Sequence, residues 1–91
     1  LKHFPITPEV QLQPDERGNC HVLSIVAGDR PGLLSRIARV LGEYDVNLES
    51  AKIVTLGARA EDTFLITGEV LSDVKAVLRL ESDLLEALQP G

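Results

Sequence analysis

Two pairs of period-two segments, each pair followed by a segment of helical period, predict an α+β fold in the order ββαββα. Strand, helix, strand, antiparallel strand and helix make the split βαβ plan of a ferredoxin-like sandwich, a four-stranded antiparallel sheet with two helices on one face. That plan ordinarily closes with a strand after its second helix. Here the sequence stops there, and an additional strand at the N-terminal side is expected to fill the empty edge.

Residues 1–7, LKHFPIT, have no periodicity and read as a linker or lead-in, leaving 8–91 as the folded domain. In 8–13 Val10 and Leu12 alternate with polar neighbours between Pro8 and Pro14, which suits an edge strand because proline cannot donate to a central ladder. PDERGN, 14–19, is dense in turn formers and leads into the apolar run HVLSIVA, 21–27, so the two segments form a hairpin.

Over 33–44 Leu33, Leu34, Ile37, Ala38, Val40, Leu41 and Tyr44 recur at steps of three and four, with Ser35, Arg36, Arg39 and Glu43 opposite. Asp29 is the expected cap of this helix, and Pro31 is expected near its first position. The next strand, 46–56, changes phase between Val46/Leu48 and Ala51/Ile53, and a β-bulge at Glu49 and Ser50 would return them to one face. GARAED, 57–62, is read as a turn into the strand TFLITGEV. The last helix is expected to start at a Ser72 cap, to bury Val74, Val77, Leu78, Leu84, Leu85 and Leu88, and to bend or fray where Glu81 breaks the stripe.

Composition excludes several classes of function. The 91 residues carry a net charge of −5, and the nine basic residues are scattered, so there is no electrostatic footprint for nucleic acid. RNA recognition on such a sheet needs stacking aromatics, and Phe4, Tyr44 and Phe64 place only one on a strand. One cysteine, Cys20, allows neither an internal disulfide nor a thiolate metal knuckle and fits a reducing, cytoplasmic location. No apolar run is long enough for a membrane span, so no membrane partner is expected. The absent initiator Met and the terminal LQPG suggest a piece of a longer protein.

No catalytic or metal-binding constellation emerges. His3 lies in the lead-in, and Cys20 and His21, adjacent on a strand, point to opposite faces and cannot converge on one atom. Neither a glycine-rich phosphate loop nor a nucleophile elbow is present. What stands out is GDRPGLL, 28–34, a loop that runs into a helix N-terminus. Free amides and the positive end of the helix dipole suit a carboxylate there, and Gly32 lets the backbone come close to a ligand. The same residues also suit a plain turn.

DRPGLL, followed by VNLESAKIVTLGARAEDTF, resembles the ACT domain family, small modules that bind amino acids beside enzymes. Within it the match is to the C-terminal ACT domain of bifunctional PII uridylyltransferases/uridylyl-removing enzymes. The resemblance implies a non-catalytic sensor, with glutamine as ligand and Asp29, Arg30, Gly32 and Leu33 in the ligand loop. It also implies that Asn47 and Ser50 complete a pocket in ACT pairs. The implied parent is a nucleotidyltransferase and hydrolase, magnesium-dependent, with PII as its substrate, while this domain needs no cofactor or metal of its own. Two other readings remain open: a dimerisation module without ligand, and an ACT regulator of another enzyme such as an alarmone synthetase/hydrolase.

A homodimer, or a pairing with a neighbouring ACT domain, is expected on two grounds. Val22, Val26 and Leu65 fall on the sheet face away from the helices, and 46–56 is a long edge strand.

Overall fold

The computed structural model describes residues 5–90. His3, Phe4 and most of the expected lead-in lie outside the described residues. The elements are β1 (Glu9–Pro14), β2 (His21–Gly28), α1 (Leu33–Glu43), β3 (Asn47–Leu56), β4 (Arg59–Thr67), a short 3-10 helix (Glu69–Ser72) and α2 (Val74–Ala87). All strand pairings are antiparallel, and the spatial order is β1-β2-β4-β3. The leading strand therefore occupies the edge that a last strand would otherwise take, as the sequence predicts.

The core forms where the helices meet the inward face of the sheet. Leu23, Ile25 and Ala27 on β2 and Ala60, Phe64 and Ile66 on β4 are all buried. Because side chains alternate along a strand, these positions share the helix-side face, and β2–β4 register pairs such as Leu23 with Phe64 set them side by side. From above, α1 contributes Leu33, Ile37, Val40 and Leu41, one face of the helix as its periodicity predicts. Leu34 and Ala38, expected in the same stripe, are exposed.

The second helix matches expectation at Leu84 and Leu88 and differs from it in its first half. It buries Ala76, Leu80 and Leu84, and Leu88 just beyond its end, while Val74 and Leu78 are exposed. Two stripes compete on this helix, and contact with β1 and α1 selects the one with small Ala76, which permits close approach. Glu81 does not interrupt the helix, which runs unbroken from Val74 to Ala87. Its cap is Asp73, not Ser72. The Asp73 carboxylate accepts from the Lys75 amide at 3.1 Å, while Ser72 closes the preceding 3-10 helix.

The start of α1 is likewise corrected. Its N-cap is Gly32 itself, at φ 82° and ψ 1°, and no side chain caps the helix. Asp29 lies too far upstream to serve, and Pro31 precedes the cap instead of opening the first turn. A left-handed cap is a position for glycine, since a side chain there strains the backbone.

The hairpin between β3 and β4 is tighter than expected. Only Gly57 and Ala58 turn the chain, with Gly57 at φ 63° supplying the positive φ that such a hairpin requires. Residues 59–62 are therefore strand, not turn. The β-bulge is where the phase change places it, with the register shifting between Leu48 and Ser50. Leu48, Ala51 and Ile53 consequently share the helix-side face, but the helix layer does not reach β3, and Leu48 and Ile53 remain exposed. On the opposite face Val22, Val26 and Leu65 are half-buried among Ser24, Glu61 and Thr63. That face is mixed, not a continuous apolar patch.

Two pairs of variants test these assignments in chemical denaturation. Gly32→Ala should destabilise the fold by about 1–2 kcal/mol through left-handed strain alone, because a Cβ there meets no atom within 4 Å. Gly28→Ala, equally uncrowded and without positive φ, should cost much less. Asp73→Ala should lose about 1 kcal/mol with its cap. Asp29→Ala should show no such loss.

Candidate functional site

A cavity of about 350 Å³ opens where the loop before α1 meets the ends of β3 and β4. Asp29, Arg30, Gly32 and Leu33, the four loop residues marked by the sequence, all line it. Its other walls are Leu34 and Ser35 of α1, Ile53 and Thr55 of β3, and Ala60 and Asp62 of β4.

The loop is held at three points. The Asp29 amide donates to the Ala58 carbonyl at 2.8 Å, tying the loop to the β3–β4 hairpin. The Leu33 amide donates to the Arg30 carbonyl at 3.3 Å, closing the turn. Arg30 also ties the loop down: its Nη2 donates to the Gln89 carbonyl at 2.9 Å, beyond the end of α2, while its Nε is buried without a partner. Arg36 donates to the Ala87 carbonyl at 3.2 Å in the same region. Two guanidinium groups thus satisfy carbonyls that a helix C-terminus leaves free, and their charge opposes the negative end of its dipole. The Arg30 side chain is an anchor for the loop.

The amides of Leu34 and Ser35 lie before the α1 ladder begins, so neither has an acceptor within the helix. Amides so placed at a helix N-terminus, with the dipole behind them, suit an anionic group. Gly32, bare of side chain, leaves the approach to these amides open, although its left-handed φ makes it a turn residue first.

Asn47 and Ser50 are not part of this cavity. Asn47 lies at the far end of β3, in a separate depression with Tyr44, Asp45 and Gly68. Ser50 pairs with Leu65, on the face away from the helices. Within one chain the expected six residues divide into a cluster of four and two outliers.

The residue that sequence reasoning missed is Asp62. It is only 2% exposed, the sole polar or charged side chain buried among the described residues. Its Oδ1 accepts from the Val54 amide at 3.3 Å, and its Oδ2 has no partner. Burial pushes its carboxyl above the ordinary carboxylate range; the Val54 hydrogen bond opposes the rise and the charge of Asp29 adds to it. The signal was present in the alternation, since Asp62 shares the inward phase of Phe64 and Ile66 once the strand is extended back to Arg59.

The raised value has a definite sign in stability. Folding disfavours the charged form of Asp62, so the fold is penalised above the raised folded value. The penalty is relieved as pH falls through that value and is gone below the unfolded carboxyl's value of about 3.9. Asp62→Asn keeps an acceptor for Val54 without the charge. The variant should therefore melt higher than the parent at neutral pH, and the difference should shrink on acidification toward pH of about 4 in paired thermal scans.

Comparison with known proteins agrees with this architecture. The model of the ACT domain family matches residues 21–85, from β2 into α2. The chain is 58% identical over 89 residues to the bifunctional uridylyltransferase/uridylyl-removing enzyme of Chromobacterium violaceum, covering 98% of this chain and 10% of that protein. It is 57% identical over 88 residues to the protein of the same name from Nitrosospira multiformis, covering 97% and 10%. The Burkholderia vietnamiensis protein of that name is 54% identical over 85 residues, covering 93% and 10%. The chain thus spans about a tenth of the length of these relatives. With its sheet order, its helix layer and a cavity built on DRPGLL, this chain belongs to the ACT domain family.

Proposed function

We propose that this chain is a regulatory, amino-acid-sensing domain of a bifunctional PII uridylyltransferase/uridylyl-removing enzyme, with glutamine as its ligand. The observation that carries the reading is the cavity at the start of α1, whose lining joins Leu34 and Ser35, at the amide-bearing start of a helix, with two acidic residues, Asp29 and Asp62. An amino acid presents the complementary pair, a carboxylate and an ammonium. The extent and identity of the match to enzymes of that name support the parent assignment. On this reading catalysis, magnesium dependence and recognition of PII reside in other parts of a cytoplasmic parent protein.

Regulation requires that binding be felt beyond the cavity. The loop touches both the β3–β4 hairpin, through Asp29, and the end of α2, through Arg30. A ligand seated between them would stiffen three elements at once. A second reading, pairing without ligand, is favoured by the uncovered β3 edge and the exposed Leu48, Ile53 and Leu56 along it. The two readings are compatible, because pairing along β3 in a homodimer or with a neighbouring ACT domain would bring residues such as Asn47 and Ser50 of a second copy to the first copy's edge.

Thermal unfolding against a panel of amino acids separates sensing from pairing. A ligand that binds only the folded chain adds roughly 2.7 kcal/mol at a hundredfold excess over Kd, equivalent to about 10–20 °C in a domain of this size. Glutamine should produce the largest shift, and a flat response to the whole panel would leave pairing as the function. In light scattering the chain should run as a dimer, with Ala51→Lys, which sets a charge on the exposed strand, shifting it toward monomer.

A further inference from the structure

We propose that Asp62 reads the positive end of the ligand, its Oδ2 accepting a hydrogen bond from the ammonium group of an amino acid held in the cavity at the start of α1. The inference rests on the amino-acid reading of that cavity and adds to it a specificity-determining residue outside the DRPGLL loop.

The argument begins with a cost. A buried carboxylate is tolerated when it is paired or fully hydrogen-bonded, and Asp62 is neither. One oxygen serves the Val54 amide, while the other is shut off from solvent without a partner. The charge that acts on it is a second carboxylate, Asp29, which worsens its position. Arg30, a basic residue at the same cavity, directs its guanidinium to Gln89 instead.

A structural role does not account for the charge. Holding Val54 needs a single acceptor oxygen, which asparagine supplies at the same position with no ionised group to bury. Phe64 and Ile66 show what this inward face otherwise carries. An uncompensated negative charge next to a second one, on the wall of a cavity, is complementary to a cation that arrives from outside.

The form of that cation follows from the opposite wall. The amides of Leu34 and Ser35 take an anion, so the ligand carries both signs a few atoms apart, as the backbone of a free amino acid does. Leu34 and Ile53, which wall the cavity, are 47% and 46% exposed and therefore not locked by packing. A change of rotamer at the cavity wall, in one of these side chains or in Asp62 itself, is required to bring Oδ2 to the ligand.

Calorimetry on the chain with L-glutamine and with 4-carbamoylbutanoate, which is glutamine without its ammonium, tests the inference. The wild-type chain should bind L-glutamine and bind the analogue about tenfold to a hundredfold more weakly, the range expected when a charged hydrogen bond is lost. Asp62→Asn, shown folded by circular dichroism, should weaken L-glutamine by a similar factor and bind the two compounds alike. Retained affinity and retained discrimination in Asp62→Asn would overturn the proposal while leaving the amino-acid reading intact, as would equal binding of both compounds by the wild type. Should Asp62→Asn not fold, Asp29→Asn decides: retained discrimination between the two compounds supports Asp62 as the contact, and lost discrimination places the ammonium on Asp29 and overturns the proposal. If neither L-glutamine nor any other common amino acid binds the wild type at millimolar concentration, the amino-acid reading fails and the proposal with it.

Discussion

The pairing of β2 with β4 is the constraint from which the rest of the structure follows. These central strands present Leu23, Ile25 and Ala27 beside Phe64, Asp62 and Ala60 in direct register. Period two permits no exceptions along a regular strand, so fixing Phe64 and Ile66 in the core fixes Asp62 on the same face. The hydrophobic gain from the aromatic and aliphatic members holds the carboxylate where its own chemistry would not take it. The site's unusual electrostatics are thus a consequence of core packing in the strand that carries it.

The loop before α1 is governed by a different economy of contacts. Gly32 caps α1 in a left-handed conformation with no side-chain hydrogen bond, so the first amides of the helix have no capping side chain. An Asp or Ser cap would have satisfied one of those amides and closed the seat to a ligand. At α2 Asp73 provides the side-chain cap that α1 lacks. Arg30 then fastens the loop to the far end of α2, which turns a local bend into a link between two elements 59 residues apart in the chain.

At the edge of the sheet the structure is less committed. The bulge between Leu48 and Ser50 brings the apolar residues of β3 to one face, yet neither helix extends over them. The strand is well paired on one side with β4, while its outer side and its apolar helix-side face are unclaimed. Cavity and open edge adjoin at Ile53 and Thr55, so whatever packs against β3 also bears on the cavity wall.

The sequence by itself determined the order of elements, the sheet with its replaced edge strand, the bulge and the loop 28–34, because each is written in local periodicity or in the turn chemistry of glycine and proline; the choice of Asp29, Arg30, Gly32 and Leu33 within that loop came from the resemblance to the ACT family. It placed the α1 cap at Asp29 and the α2 cap at Ser72, since capping residues cluster near helix starts and the chain's path selects among them. On α2 it put Val74 and Leu78 in the core where Ala76 and Leu80 are buried, while Leu84 and Leu88 are buried as expected, because apolar stripes on one helix differ only in what they meet across space. Tertiary structure alone decided that Asp62 is buried, that Arg30 donates to the Gln89 carbonyl, and that Asn47 and Ser50 stand apart from the other four. Those outcomes depend on which residues distant in the chain become neighbours, and that is fixed by strand register and by how far the helix layer reaches across the sheet.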